Sequence, residues 1–196
     1  MITKKEYKQG LLNDLYAPYK NCNLCPLSQK RTHVVFGRGN PDAQLLILGE
    51  GPGKDEDNQG LPFIGRSGKL LSKILKGLNI KEEEDVYITN IVKCRPPNNR
   101  PPLLTEINTC TSILLNNQIE IINPTIICAL GTSAAQTLLA SKKPLSQFKG
   151  SIMPYKNRLM IATYHPAYIL RNPKELQTLS NDIELAYTTS ITNENI

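Results

Sequence analysis

The 196-residue chain lacks the features that would put it in a membrane, a fibre or the secretory route. Its longest apolar runs, such as Leu45 to Leu48 and Ile126 to Leu130, fall far short of the roughly 20 residues a bilayer-spanning helix needs. Lys4, Lys5, Glu6 and Lys8 near the N-terminus are not followed by the apolar stretch and small-residue cleavage site of a secretion signal. There is no internal repeat, no low-complexity segment and little excess of one charge: 23 Lys and Arg stand against 17 Asp and Glu, a net +6. What is present, 40% hydrophobic and 20% charged residues, suits one globular domain over residues 1–196 with a core of its own. A reducing cytoplasm is the expected compartment. There the five cysteines read first as metal ligands or catalytic groups and only then as disulfides.

Tyr7, Leu11, Leu12, Leu15 and Tyr16 recur at helical spacing and predict an amphipathic helix over residues 3–20. Short apolar runs predict buried strands over residues 44–48, 86–92, 125–130 and 156–163. Further helices are predicted from Ser67, a candidate N-cap, to about Leu78, over residues 103–122, from Thr132 to near Leu139, and from Pro173 onward. The stretch from Cys94 to Pro102 can be neither helix nor ladder, because its four prolines fix φ and remove donors. This alternation predicts an α/β fold: a three-layer α/β/α sandwich around a central, mostly parallel four-stranded sheet. Ligands gather at the carboxyl ends of such strands, here Gly49-Glu50-Gly51, Asn90, Leu130-Gly131 and Tyr164-His165.

Three segments carry residue types suited to chemistry. The first runs from Gly49-Glu50-Gly51-Pro52-Gly53 through Asp55, Glu56 and Asp57 to Phe63 and Gly68. Its glycines let a ligand approach the backbone, and a helix starting near Ser67 offers free N–H groups to an anion. It is not a Walker A loop, since Leu70 stands where Ser or Thr would hold magnesium; a solvated acidic turn is the plainer alternative. The second is the cysteine set. Cys22 and Cys25 form a Cys-x-x-Cys pair, Cys94 and Cys110 lie in a polar, proline-rich stretch, and these four are expected to be available. Cys128, inside an apolar run, is expected to be buried. Four thiolates serve zinc or an iron-sulfur cluster alike. The wide separation of Cys94 and Cys110 leans towards a cluster, with four unrelated buried cysteines as the alternative. The third segment is Tyr164 to Pro173. In it His165 can exchange a hydrogen bond with a ligand, and Ile169-Leu170 can wedge into a base stack while Arg171 and Asn172 hold phosphate. The bland alternative is a satisfied histidine beside a hydrophobic staple.

Together these segments resemble the family 4 uracil-DNA glycosylases, the iron-sulfur branch of the uracil-DNA glycosylase superfamily. The likeness covers most of the chain: Cys22-x-x-Cys25, Val34-Val-Phe-Gly37, Gly49-Glu-Gly-Pro-Gly53, Gly60-x-Pro-Phe-Ile-Gly-x-Ser-Gly68, Tyr87-Ile-Thr-Asn-Ile-Val-Lys-Cys-Arg-Pro-Pro-x-Asn-Arg100, Cys110 and His165-Pro-Ala-Tyr168. The resemblance implies a base-excision-repair hydrolase that flips uracil out of DNA, cleaves its N-glycosidic bond and leaves an intact abasic site without strand cleavage. It implies a structural 4Fe-4S cluster on Cys22, Cys25, Cys94 and Cys110, and a uracil pocket of Gly49, Glu50, Gly51, Phe63, Asn90 and His165. Catalysis would rest on Glu50, Glu56, Asn90 and His165. Phe63 would stack on the base, Asn90 read its polar edge and His165 stabilise charge on O2, while the two glutamates orient water and offset positive charge on the sugar. No Asp adjoins proline in the glycine-rich motif, where other branches place an activating acid, so the division of labour between Glu50 and Glu56 stays open. Arg66, Ser67, Lys69, Arg171 and Asn172 would be phosphate contacts, and Ile169 with Leu170 the wedge. The expected partner is uracil-containing DNA, met by a monomeric, nucleoid-associated cytoplasmic protein with no membrane role. The alternative is a non-catalytic iron-sulfur DNA-binding module of the same fold, which has no need of the full pocket set.

Overall fold

The structure, a computed structural model, describes residues 2–192. Six strands form one sheet: β1 (Arg38–Gly39), β2 (Leu45–Gly49), β3 (Val86–Asn90), β4 (Ile126–Leu130), β5 (Ile152–Tyr155) and β6 (Arg158–Thr163), in the spatial order β1-β3-β2-β4-β6-β5. The inner four are parallel and coincide with the four apolar runs of the sequence. Two antiparallel edge strands extend the expected four-stranded sheet to six. Both escape a search for apolar runs: β1 is two residues long, and β5 is largely exposed and contains Pro154, a residue that sheets accept at their edges.

Helices α1 (Lys4–Tyr16), α2 (Lys54–Gln59), α3 (Arg66–Gly77), α4 (Leu104–Cys110), α5 (Asn116–Ile122), α6 (Thr132–Leu139), α7 (Pro166–Ile169) and α8 (Leu176–Thr192) accompany the sheet. Side chains along a strand alternate between its faces. Leu46, Leu48, Ile127 and Ala129 therefore enter one core with Leu12 of α1, Ile119 of α5 and Ala134 of α6. Leu45, Ile47, Ile126, Cys128 and Leu130 enter the other with Leu71 of α3 and Leu179 and Ile183 of α8. The result is the expected three-layer α/β/α arrangement. Among the described residues no helix is long and apolar enough to cross a membrane.

Local signals explain most boundaries. Thr3 and Glu6 cap α1 reciprocally, each side chain taking the other's backbone N–H. The helix expected over residues 103–122 is present, with one π turn at Thr111–Leu115 between α4 and α5. The N-cap of α3 is Gly65 and not Ser67, because Glu56 takes the Gly65 N–H from outside the helix, at 2.8 Å. Helix α2 replaces part of the expected loop; its sequence Lys-Asp-Glu-Asp-Asn-Gln has no apolar residue to betray a period.

Candidate active site

The parallel strands deliver their carboxyl ends to one edge of the sheet, with Gly49 in register with Asn90 and Leu130 with Thr163. A cavity of about 230 Å³ opens there, lined by residues that include Glu50, Gly51, Glu56, Phe63, Ser67, Asn90 and His165. It is smaller than the roughly 300–1,000 Å³ of drug-sized ligand sites and suits a single planar heterocycle. Gly49 does not itself line the cavity but lies against two residues that do: a Cβ there would lie 2.5 Å from Phe63 Cζ and closer still to Asn90 Oδ1. The absence of a side chain at 49 is thus what lets an aromatic ring and a carboxamide converge. Asn90 is buried. Its carbonyl accepts from the fully buried Lys93 Nζ at 2.6 Å, and the same ammonium donates to Thr89 Oγ1 at 2.6 Å.

Phe63 adopts a left-handed backbone conformation with φ 53°, unusual for a bulky residue. Its ring stacks on His165, with centroids 5.6 Å apart. Glu56 lies directly behind. Its Oε1 accepts from Ile64 N at 3.0 Å and Gly65 N at 2.8 Å, and its Oε2 from Gly53 N at 3.1 Å. Three backbone donors thus engage this carboxylate, which ties α2 to the loop carrying Phe63.

His165 N-caps α7, its Nδ1 accepting from Ala167 N at 3.1 Å. That bond requires an unprotonated Nδ1, so the neutral ring carries its proton on Nε2. Burial pushes the imidazole down to about 4, and the positive charge of Arg171 adds to the shift, which keeps the ring neutral near neutral pH. Glu50 follows β2, and its Oε2 accepts from Ser133 Oγ at the start of α6. The cavity therefore joins a neutral donor, an oriented carboxylate, a carboxamide and an aromatic face.

Cys22, Cys25, Cys94 and Cys110 line a second, much smaller cavity, of about 20 Å³, together with Lys93. Cys94 and Cys110 are buried, at 6% and 8% exposure, contrary to the expectation that all four would be available. The polar sequence around them hides this, because both pack into the core with Leu27, Val34 and Leu114, which lie far away or carry no spacing signal in the chain. Among the described residues no three metal-binding side chains converge tightly enough for one ion. Burial pushes the Cys94 thiol up to about 12 and raises those of Cys25 and Cys110, while Arg31 opposes the rise at Cys94 and Cys25. The buried Nη1 of that arginine has no hydrogen-bond partner. Four cysteine sulfurs lining one cavity near an unanswered guanidinium fit an anionic, thiolate-bound metal group. Cys128 is buried in the other core.

The remaining sequence candidates divide. Arg66, Lys69 and Arg171 are exposed, and Asn172 spends Nδ2 on Tyr168 O at 3.1 Å. Leu170 is 41% exposed but Ile169 only 3%, so the expectation that Ile169 is free to wedge is corrected: the single turn of α7 rotates it into the core with Leu179. Sequence reasoning overlooked Ser133, Lys93 and the lining residues Pro96 and Asn99. The strand-end rule points to the first, two residues beyond Gly131.

A model of the uracil DNA glycosylase superfamily matches residues 36–186. The chain is 46% identical over 190 residues to a type-4 uracil-DNA glycosylase of Thermotoga maritima, covering 95% of this chain and 96% of that one. It is 38% identical to the type-4 enzyme of Archaeoglobus fulgidus, over 88% of this chain and 90% of the relative, and 39% identical to that of Sulfurisphaera tokodaii, over 88% and 81%.

Proposed function

The chain belongs to the uracil-DNA glycosylase superfamily, and within it to the type-4 enzymes, and on that footing we infer that the cavity at the strand ends is the pocket in which uracil is released. The reaction is hydrolysis of the N-glycosyl bond in DNA repair. The observation that carries the pocket assignment is the convergence of Glu50, Phe63, Asn90 and His165 on one small cavity.

A base inside a duplex is out of reach, so the nucleotide must rotate out of the stack, at a cost of a few kcal/mol. Phe63 restores stacking to the extruded ring. Asn90 donates to uracil O4 and accepts from N3–H, a pattern that cytosine inverts, so a wrong base leaves buried polar groups unpaired. Bond cleavage leaves positive charge on the sugar and negative charge on the departing base. His165 Nε2–H is the preorganised donor for the charge on O2, and a neutral imidazole does this without first losing a proton. Glu50 orients the attacking water and offsets the oxocarbenium charge, with Ser133 fixing one of its oxygens and leaving the other for water. We read Glu56, whose carboxylate is engaged by three backbone N–H groups, as the anchor of the Phe63 loop, which favours Glu50 for the water and the sugar.

Cys22, Cys25, Cys94 and Cys110 would hold a 4Fe-4S cluster. It would supply cross-linking, joining the N-terminal segment to the proline-rich loop and α4. Arg31 Nη1 would face its negative charge. Exposed Arg66, Lys69 and Arg171 follow the phosphates, with Leu170 entering the stack. The chain reads as a monofunctional enzyme, since no lysine lines the pocket to form a Schiff base.

An oligonucleotide with one uracil, incubated with the protein and then treated with alkali, should break at uracil and not at thymine. Binding without release of uracil would overturn the enzymatic assignment of the pocket.

A further inference from the structure

Phe63 holds a backbone conformation that bulky residues avoid, and three features hold it there. Gly68 of α3 packs so tightly that a Cβ would overlap the Phe63 carbonyl group. Glu56 takes the two N–H groups that follow, Ile64 and Gly65. The third is Arg38 of β1: its Nε donates to Pro62 O at 2.8 Å and its Nη2 to Phe63 O at 3.3 Å. Its Nη1 pairs with Glu82, which precedes β3. Both side chains of that pair are largely buried, at 16% and 19% exposure, so the guanidinium is fixed before any ligand arrives.

We propose that Arg38, oriented by Glu82, is a positioning residue for base recognition: it holds the Pro62 and Phe63 carbonyls so that the Phe63 ring stands at the stacking angle over Gly49. This inference rests on the reading of Phe63 as the residue that stacks on uracil. Arg38 touches neither the cavity nor the reacting atoms. It acts through the peptide on which the ring is mounted. A planar fork with several donors can hold two adjacent carbonyls and a carboxylate at once, which a lysine ammonium, acting as one point charge, cannot do with the same geometry. The antiparallel edge strand β1 thereby gains a role beyond closing the sheet.

The test is a double-mutant cycle on the cluster-loaded enzyme, with Arg38→Met, Arg38→Lys and Phe63→Ala singly and in combination. The readouts are kcat and KM for a uracil oligonucleotide, inhibition by free uracil, and thermal midpoint. Arg38→Met is expected to raise KM and weaken uracil inhibition by roughly tenfold, within the range that stacking on one base contributes, and to do almost nothing more in the Phe63→Ala background. Arg38→Lys should recover only part of the loss, and it keeps the cycle readable should Arg38→Met fold poorly. If Phe63→Ala leaves KM and uracil inhibition unchanged, the stacking assignment itself fails. If Phe63→Ala weakens both but Arg38→Met costs the same factor with and without the phenyl ring, or shifts only the thermal midpoint, Arg38 is structural and the proposal is overturned.

Discussion

Gly49 is the residue at which the smallest change should do the most. Its missing Cβ is the space shared by the Phe63 ring and the Asn90 carboxamide, so Gly49→Ala must push one of them off its position. Misplacement by about 1 Å can cost 100-fold in rate, and uracil release by Gly49→Ala is expected to fall by at least about that factor while cooperative unfolding is retained. Single-turnover assays and thermal unfolding of the same preparation would check it. His165 gives a second prediction, in pH. Its folded value of about 4 lies below the ordinary 6.5, so between these two the unfolded chain binds a proton that the folded chain does not. Stability contributed by the neutral ring is complete above about pH 6.5 and is lost as pH falls through about 4. Urea unfolding from about pH 7 to about pH 4 should show a shallower acid loss for His165→Gln than for the wild type. Equal slopes would assign the acid sensitivity to other groups.

At the scale of elements, α2 and the loop after it act as one bracket closed by Glu56. Glu56→Gln turns an acceptor of three N–H groups into a group that must present its own N–H₂ to one of them. The expected cost is about 1–3 kcal/mol of stability, with activity falling as the loop loosens. Glu50→Gln, altering a carboxylate with one hydroxyl donor, should instead lower kcat with little change in stability. Chemical denaturation beside kinetics for both variants separates the two roles, and equal effects in both would contradict the division. This bracket is where sequence reading reached its limit. Strands β2, β3, β4 and β6 are legible because they are buried on both faces and so appear as unbroken apolar runs. Helix α2 is illegible because it is polar throughout, held by one carboxylate and not by a hydrophobic stripe. β1 is hidden by its length of two residues and β5 by its exposed edge position and Pro154, and Ile169, adjacent to an exposed Leu170, gives no local sign of its burial. The pocket side chains were legible through their ordered motifs; their supports Ser133, Lys93 and Arg38 were not, because each acts through a tertiary contact and carries no spacing of its own.

For the whole molecule, the four-cysteine cavity joins parts of the chain that the sheet leaves loosely connected: the segment after α1, the proline-rich loop and the end of α4. Replacing any one of Cys22, Cys25, Cys94 or Cys110 by Ser is expected to remove the visible absorption of the cluster, lower bound iron from about four atoms per chain and reduce the thermal midpoint. Cys128→Ala should leave iron and colour intact, since that thiol lies in the opposite core. Iron analysis and absorption spectra of the five variants decide this, and one zinc per chain in the wild type would refute the cluster.

The pairing of Leu45 with both Val86 and Ile126 has a consequence for how the protein comes into being. Neighbours at the centre of the sheet are separated by whole helices along the chain, and the local hairpin β5–β6 lies at one edge, so the search for the central partners is intrinsically slow. Because His165 follows β6, all six strands must have left the ribosome before the pocket can close. Until β4 emerges the β1-β3-β2 unit keeps one open edge, at β2, and exposed apolar faces, the condition in which nascent chains aggregate. Uracil release is accordingly expected to arise late and abruptly during synthesis.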